Sequence, residues 1–207
     1  MCWRATIIFL TLLSAAPAVN AVEIATYGTG LMPCSAYVDA RERESADQIP
    51  FVDWLVGYLS GVNATSTRRN NILGPSDVKG AMDNLDHVCR TRPQVHFADA
   101  VGMLTMGASS APGAHSVEVT NYGSGFKPCR TYIEAREPQS PDSAEFIDWL
   151  GGYLSGVNAI SLHTNDILGA SQLTQAVYWL DDYCSSHPVE PFALAVGALV
   201  DARHRNR

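Results

Sequence analysis

The chain lacks any C-x-x-C, H-E-x-x-H, G-x-S-x-G or phosphate-loop pattern. Those patterns would announce redox, zinc-hydrolase, serine-hydrolase or nucleotide chemistry. It also lacks an excess of basic charge, with 14 Lys and Arg against 21 Asp and Glu and a formal net charge of −7. A protein that tracks phosphates needs the opposite balance, so nucleic acid is not an expected partner. No run of about eighteen apolar residues occurs, the minimum for an ordinary membrane-spanning helix. Strand signals are weak: only Val22 to Thr26 and Val117 to Asn121 read as short extended entries. With 46% hydrophobic and 17% charged residues, the 207-residue chain has an ordinary globular composition.

The first segment reads as an address. Arg4 is followed by the apolar run Ala5 to Leu13 and then by small residues, the layout of an export signal. Cleavage is expected after Ala21, with a cut after Ala18 as the alternative. Cys2 precedes the apolar run, so it is no lipid-anchor cysteine and leaves with the signal. Four cysteines then remain: Cys34, Cys89, Cys129 and Cys184.

A shift of 95 residues superimposes the sequence on itself. Cys34 falls on Cys129, Cys89 on Cys184, and the stretch Gly57 to Ala64 recurs unchanged as Gly152 to Ala159. From Val22 onward about half of the aligned positions are identical, with no gap. A period this long implies two copies of a small domain rather than a solenoid. The expected organisation is a signal peptide over 1–21, repeat domain 1 over 22–106, a linker over 107–116, repeat domain 2 over 117–202, and a basic tail over 203–207. The economical cysteine pairing is Cys34 with Cys89 and Cys129 with Cys184, one bridge per copy. The alternative is four free buried thiols, which an exported chain disfavours.

Within one copy, helix formers run from Cys34 to about Glu44. A second helix opens near Pro50 and carries apolar residues at 51, 54, 55, 58, 59 and 62, the spacing of a helical face, to about Thr65. Ser76-Asp77 offers an N-cap for a third helix reaching about Cys89, matched by Ser171 to Cys184. A fourth carries Phe97, Val101 and Leu104, or Phe192, Val196 and Leu199. The predicted fold is all-α: two tandem four-helix domains with one disulfide each.

The second helix has a core face of Phe51, Trp54, Leu55, Tyr58 and Val62. Its other face, Asp53, Gly57, Ser60, Gly61 and Ala64, is small or acidic. Glycine inside a helix costs about 1 kcal/mol relative to alanine. Two glycines four apart, kept in both copies, therefore imply a close approach, either by a neighbouring helix of the same domain or by a partner or ligand.

The six histidines never occupy matching positions in the two copies, so no ancestral catalytic or metal-binding histidine is expected. No cofactor or metal is expected either. The recurring polar residues are Asp53 with Asp148 and Asn63 with Asn158. A single carboxylate per copy without a paired base is a poor catalytic set. These four are instead candidate binding residues, against the plainer reading of exposed or capping aspartates and of asparagines that close a helix end. The Asn63-Ala64-Thr65 sequon is not repeated in the second copy. Val22 to Gly107 holds ten acids and seven bases, Ala108 to Ala202 eleven acids and three bases, so the second copy favours a basic partner.

The order Cys-x-x-Tyr, the W-L-x-G-Y-L-S-G-V-N helix, then Cys, Pro and a Phe-Ala-x-Ala helix resembles the small periplasmic helical domains of the HdeA acid-stress chaperone type. The G-Y-L-S-G-V stretch is also similar to Rap/Tai-type immunity proteins. Those families are typically single domains, whereas this chain is a fused pair. Many immunity proteins also carry a cysteine where Trp54 and Trp149 stand. The resemblance implies a non-enzymatic periplasmic protein that binds an unfolded client or a protein partner such as a toxin, with the fused copies forming a pseudo-dimer.

Overall fold

The computed structural model describes residues 23–66, 71–73, 77–107, 120–137, 140 and 142–205. The expected export segment and all of the expected linker except Gly107 lie outside the described residues. So does the end of the basic tail.

Eight α-helices follow one another among the described residues. In the first copy these are α1 (Cys34–Glu42), α2 (Ile49–Thr65), α3 (Val78–Thr91) and α4 (Phe97–Gly107). In the second they are α5 (Cys129–Ala135), α6 (Ser143–Ile160), α7 (Leu173–Ser186) and α8 (Phe192–Arg205). No strand is present among the described residues, and residues 23–27 and 120–122 are extended arms without a sheet.

Local chemistry explains the boundaries. Pro50 sits in the first turn of α2, where its missing N–H is no loss. Asp77 caps α3 by accepting from the Gly80 N–H at 2.8 Å. The first helix stops at Glu42 rather than near Glu44, because Glu44 takes a left-handed conformation with φ 49°. At the other end of the chain, α8 carries the expected tail as far as Arg205, and Arg203 Nη1 donates to Ser171 Oγ at 3.3 Å.

The two disulfides are Cys34–Cys89 and Cys129–Cys184, each tying the start of one helix to the end of another across 55 residues. Two such bridges suit an oxidising, secreted environment. No helix among the described residues is long and apolar enough to cross a membrane.

Each copy has an aromatic core of the same design. Trp54, Tyr37, Phe51 and Phe97 pack together in the first, and Trp149, Tyr132, Phe146 and Phe192 in the second. Ring centroids lie 4.9 Å apart for Tyr37 and Phe97 and 4.7 Å for Tyr132 and Phe192. The cores are not separate. Val56 of α2 is buried in the second core, while Tyr122, Ala159 and Ile160 of the second copy pack against the first.

Candidate functional site

The most repeated helix of each copy meets its counterpart. In α2 every residue from Trp54 to Asn63 is buried, and in α6 every residue from Trp149 to Asn158. One side of each helix faces its own core and the other faces the partner helix. The small-residue face predicted for a close approach is therefore covered by a helix of the other copy, neither by one of its own domain nor by a separate partner.

The approach is at backbone distance. A Cβ on Gly57 would stand 2.1 Å from the Trp149 carbonyl oxygen, and one on Gly61 2.2 Å from that of Tyr153. In return, Gly152 and Gly156 would meet the Trp54 and Tyr58 carbonyl oxygens at 2.0 and 2.3 Å. The contact positions rise together along both helices, so α2 and α6 lie parallel, related by a pseudo-twofold axis.

Extended arms lock this contact crosswise. The Tyr27 N–H donates to Ser155 Oγ, and the Tyr122 N–H to Ser60 Oγ, both at 3.0 Å. Each serine in turn donates to a carbonyl of its own helix, Ser60 to Val56 and Ser155 to Gly151, both at 2.7 Å. Each arm then returns to its own copy, where Trp54 Nε1 donates to the Tyr27 carbonyl and Trp149 Nε1 to that of Tyr122. Gly28 and Gly123, with φ of 63° and 59°, make the turn that follows each arm residue.

Asn63 and Asn158 are buried at this crossing. Asn63 donates to the Thr120 carbonyl of the second arm and accepts from the Ile72 N–H, both at 2.7 Å. Asn158 does the same with the Ala25 carbonyl at 2.8 Å and the Ile167 N–H at 2.7 Å. One amide thus joins a helix end, the loop after it and the arm of the other copy. An Asn158→Ala variant leaves a buried donor and acceptor unpaired, each costing about 1–3 kcal/mol. We expect a loss of about 2–3 kcal/mol in urea denaturation, and a similar loss for Asn63→Ala. An effect below about 0.5 kcal/mol would contradict this bridging role.

The two aspartates differ. Asp148 accepts from Thr29 Oγ1 at 2.5 Å, a bond between the copies. Burial pushes its carboxyl up, and the threonine bond opposes the rise. At Asp53 the same-register neighbour is Ser124, and no bond joins them among the described residues. Oδ2 of Asp53 is buried with no hydrogen-bond partner among the described residues. Burial, then Glu145 and Asp148 nearby, push this carboxyl up to about 6, while Lys127 pulls it down. Lys127 is already paired with Glu145 at 2.5 Å. The asymmetry is written in the sequence: Lys127 and Glu145 stand where the first copy has Met32 and Pro50.

Beyond this seam lie two open polar clefts. Arg41, Glu44, Gln48, Asp86 and Arg90 line one, and Lys127, Thr131, Glu134, Asp142 and Glu145 are among those lining the other. Ion pairs run through both, Arg41–Asp86 at 3.2 Å and Lys127–Glu145. Among the described residues no three His, Cys, Asp or Glu side chains are grouped to hold a metal. The candidate residues are therefore drawn together at the seam between copies, in two asparagine crossings and one carboxylate cluster. Sequence reasoning assigned no bonding role to Tyr27, Tyr122, Ser60 or Ser155, although their recurrence at a spacing of 95 was the available signal. No family model, curated protein or solved structure matches this chain.

Proposed function

We propose that this chain is a non-enzymatic protein-binding module of the periplasm that holds unfolded clients, in the manner of the HdeA-type acid-stress chaperones its sequence resembles. One observation carries the reading. The repeated polar residues are turned inward, whereas the same turn in each copy presents a large apolar side chain outward, Leu31 at 51% exposure and Phe126 at 63%. Met32 and Ile49 add exposed apolar surface in the first copy, and Leu194 in the second. Two apolar contacts on one rigid body suit a client that offers scattered hydrophobic segments. Burying a side chain of this size contributes about 1.5–3 kcal/mol.

The test mixes the purified protein with an aggregating client at about pH 2–3 and at neutrality, the acid range being the one the resemblance implies. Light scattering should fall in acid. A Leu31→Ser/Phe126→Ser variant, its helicity checked, should need about tenfold more protein for the same effect. Unchanged scattering with the wild-type protein at low pH rules the reading out.

A second reading, an inhibitor of Rap/Tai immunity type, is favoured by the acidity of the second copy, eleven acids against three bases from Ala108 to Ala202. Pull-down from periplasmic extract separates the two. A chaperone retains many proteins in acid, whereas an immunity protein retains one stoichiometric basic protein at neutral pH.

A further inference from the structure

The seam between the copies holds an unfinished contact. At the start of the parallel helix pair, Thr29 completes Asp148 across the pseudo-twofold axis. Among the described residues Asp53 has no such donor, and its Oδ2 is shut away from solvent without a partner. The charged groups facing Asp53 are Glu145 and Asp148 from α6 and Lys127 from the turn before α5. Of these, the only cation is engaged by Glu145. An ionised Asp53 therefore sits against two carboxylates of the other copy, half-buried, with one oxygen unpaired. A buried polar atom without a partner and two facing like charges both penalise the folded state.

We propose that Asp53 is a one-proton latch between the two copies: protonation of this carboxyl tightens the contact of α2 with α6, and its loss in neutral solution loosens it. A neutral carboxyl relieves the repulsion from Glu145 and Asp148. It also removes the charge from an oxygen that is shut away from solvent without a partner among the described residues. The sign follows from the shift. The folded protein holds this proton up to about pH 6, whereas an unfolded aspartate, at 3.8, has already released it. The contribution to stability is full below the lower value and falls as pH rises through the higher one. Acid thus consolidates the seam until the ordinary carboxylates begin to lose their ion pairs.

Thermal unfolding of the purified full chain at pH 5.0 and pH 7.5 tests the latch, with Asp53→Asn and Asp148→Asn measured beside it. The ideal linkage is about tenfold in the folding equilibrium between the two pH values, and the half-exposed position reduces it to about threefold. That corresponds to a melting temperature about 1–3 °C lower at pH 7.5. Wild type and Asp53→Asn share every other titratable group, so the difference between the two isolates Asp53. Asp53→Asn should remove most of that pH-dependent difference and raise the melting temperature at pH 7.5. Asp148→Asn should retain more than half of it. Hydrogen exchange at the Tyr122 N–H, corrected for its intrinsic pH dependence, should be slower at pH 5.0 in the wild type and equal at both pH values in Asp53→Asn. The proposal is overturned if Asp53→Asn keeps the wild-type pH dependence, if it fails to fold, or if Asp148→Asn alone abolishes the difference.

Discussion

Adding one methyl group to each side of the helix contact, Gly57→Ala with Gly152→Ala, should cost about 3–5 kcal/mol, a large share of the stability of an ordinary domain. Two effects oppose each other. Alanine is favoured over glycine in a helix interior by about 1 kcal/mol per site. Against this, the new Cβ atoms would lie 2.1 Å from the Trp149 carbonyl oxygen and 2.0 Å from that of Trp54. Both obstacles are backbone, so no side chain can rotate aside, and the helices must separate along their whole length. Separation also disturbs the serine and asparagine bonds to the arms. Gly197, inside α8, supplies the control, since a Cβ there meets nothing within 4 Å. Gly197→Ala should raise stability by about 0.5–1 kcal/mol. Denaturant titration of the three proteins settles the point. A double variant as stable as wild type would mean that α2 and α6 do not touch in solution.

That contact marks where sequence reading reached its limit. The helices were legible because their breakers and apolar spacing are local, with Pro50, Asp77 and the Phe97 and Phe192 periodicities each acting within one turn or one face. The disulfide pairing was legible because duplication reduces the possible connectivities to one economical choice. The glycine face announced a close approach, yet a pattern on one helix cannot say whose backbone arrives. That is decided by the far copy, 92 to 98 residues away. For the same reason Asn63 reads only as a helix-end polar residue until Thr120 is placed against it. Asp53 and Asp148 stand in the same Phe-x-Asp-Trp-Leu frame, and their difference comes from Thr29, Lys127 and Glu145. Exposure of Leu31 and Phe126 was likewise invisible, because a turn residue carries no periodicity to assign it a face.

Opening one bridge should destabilise both copies at once. The bond Cys129–Cys184 closes a loop of 55 residues, so its removal releases about 4 kcal/mol of unfolded-state entropy. The four bridged cysteines are fully buried. Alanine therefore measures the loss of the cross-link, while serine adds the cost of a buried hydroxyl. We expect about 4 kcal/mol for Cys129→Ala/Cys184→Ala and a further 1–2 kcal/mol for the serine pair. The distribution of the loss carries more information than its size. Independent domains would leave the first copy at its original midpoint and give two transitions. Here the first copy has Gly57 and Gly61 of α2 against the α6 backbone, Val56 inside the second core, and its Asn63 and Ser60 bonded to the second arm. Unfolding the second copy strips all of these from the first. Near-ultraviolet circular dichroism, together with hydrogen exchange at Cys34 N–H, which donates to the Val95 carbonyl in the first copy, should therefore report one coincident transition at a lower midpoint. Two separated transitions would show that the copies fold alone and that the crossed arms contribute little.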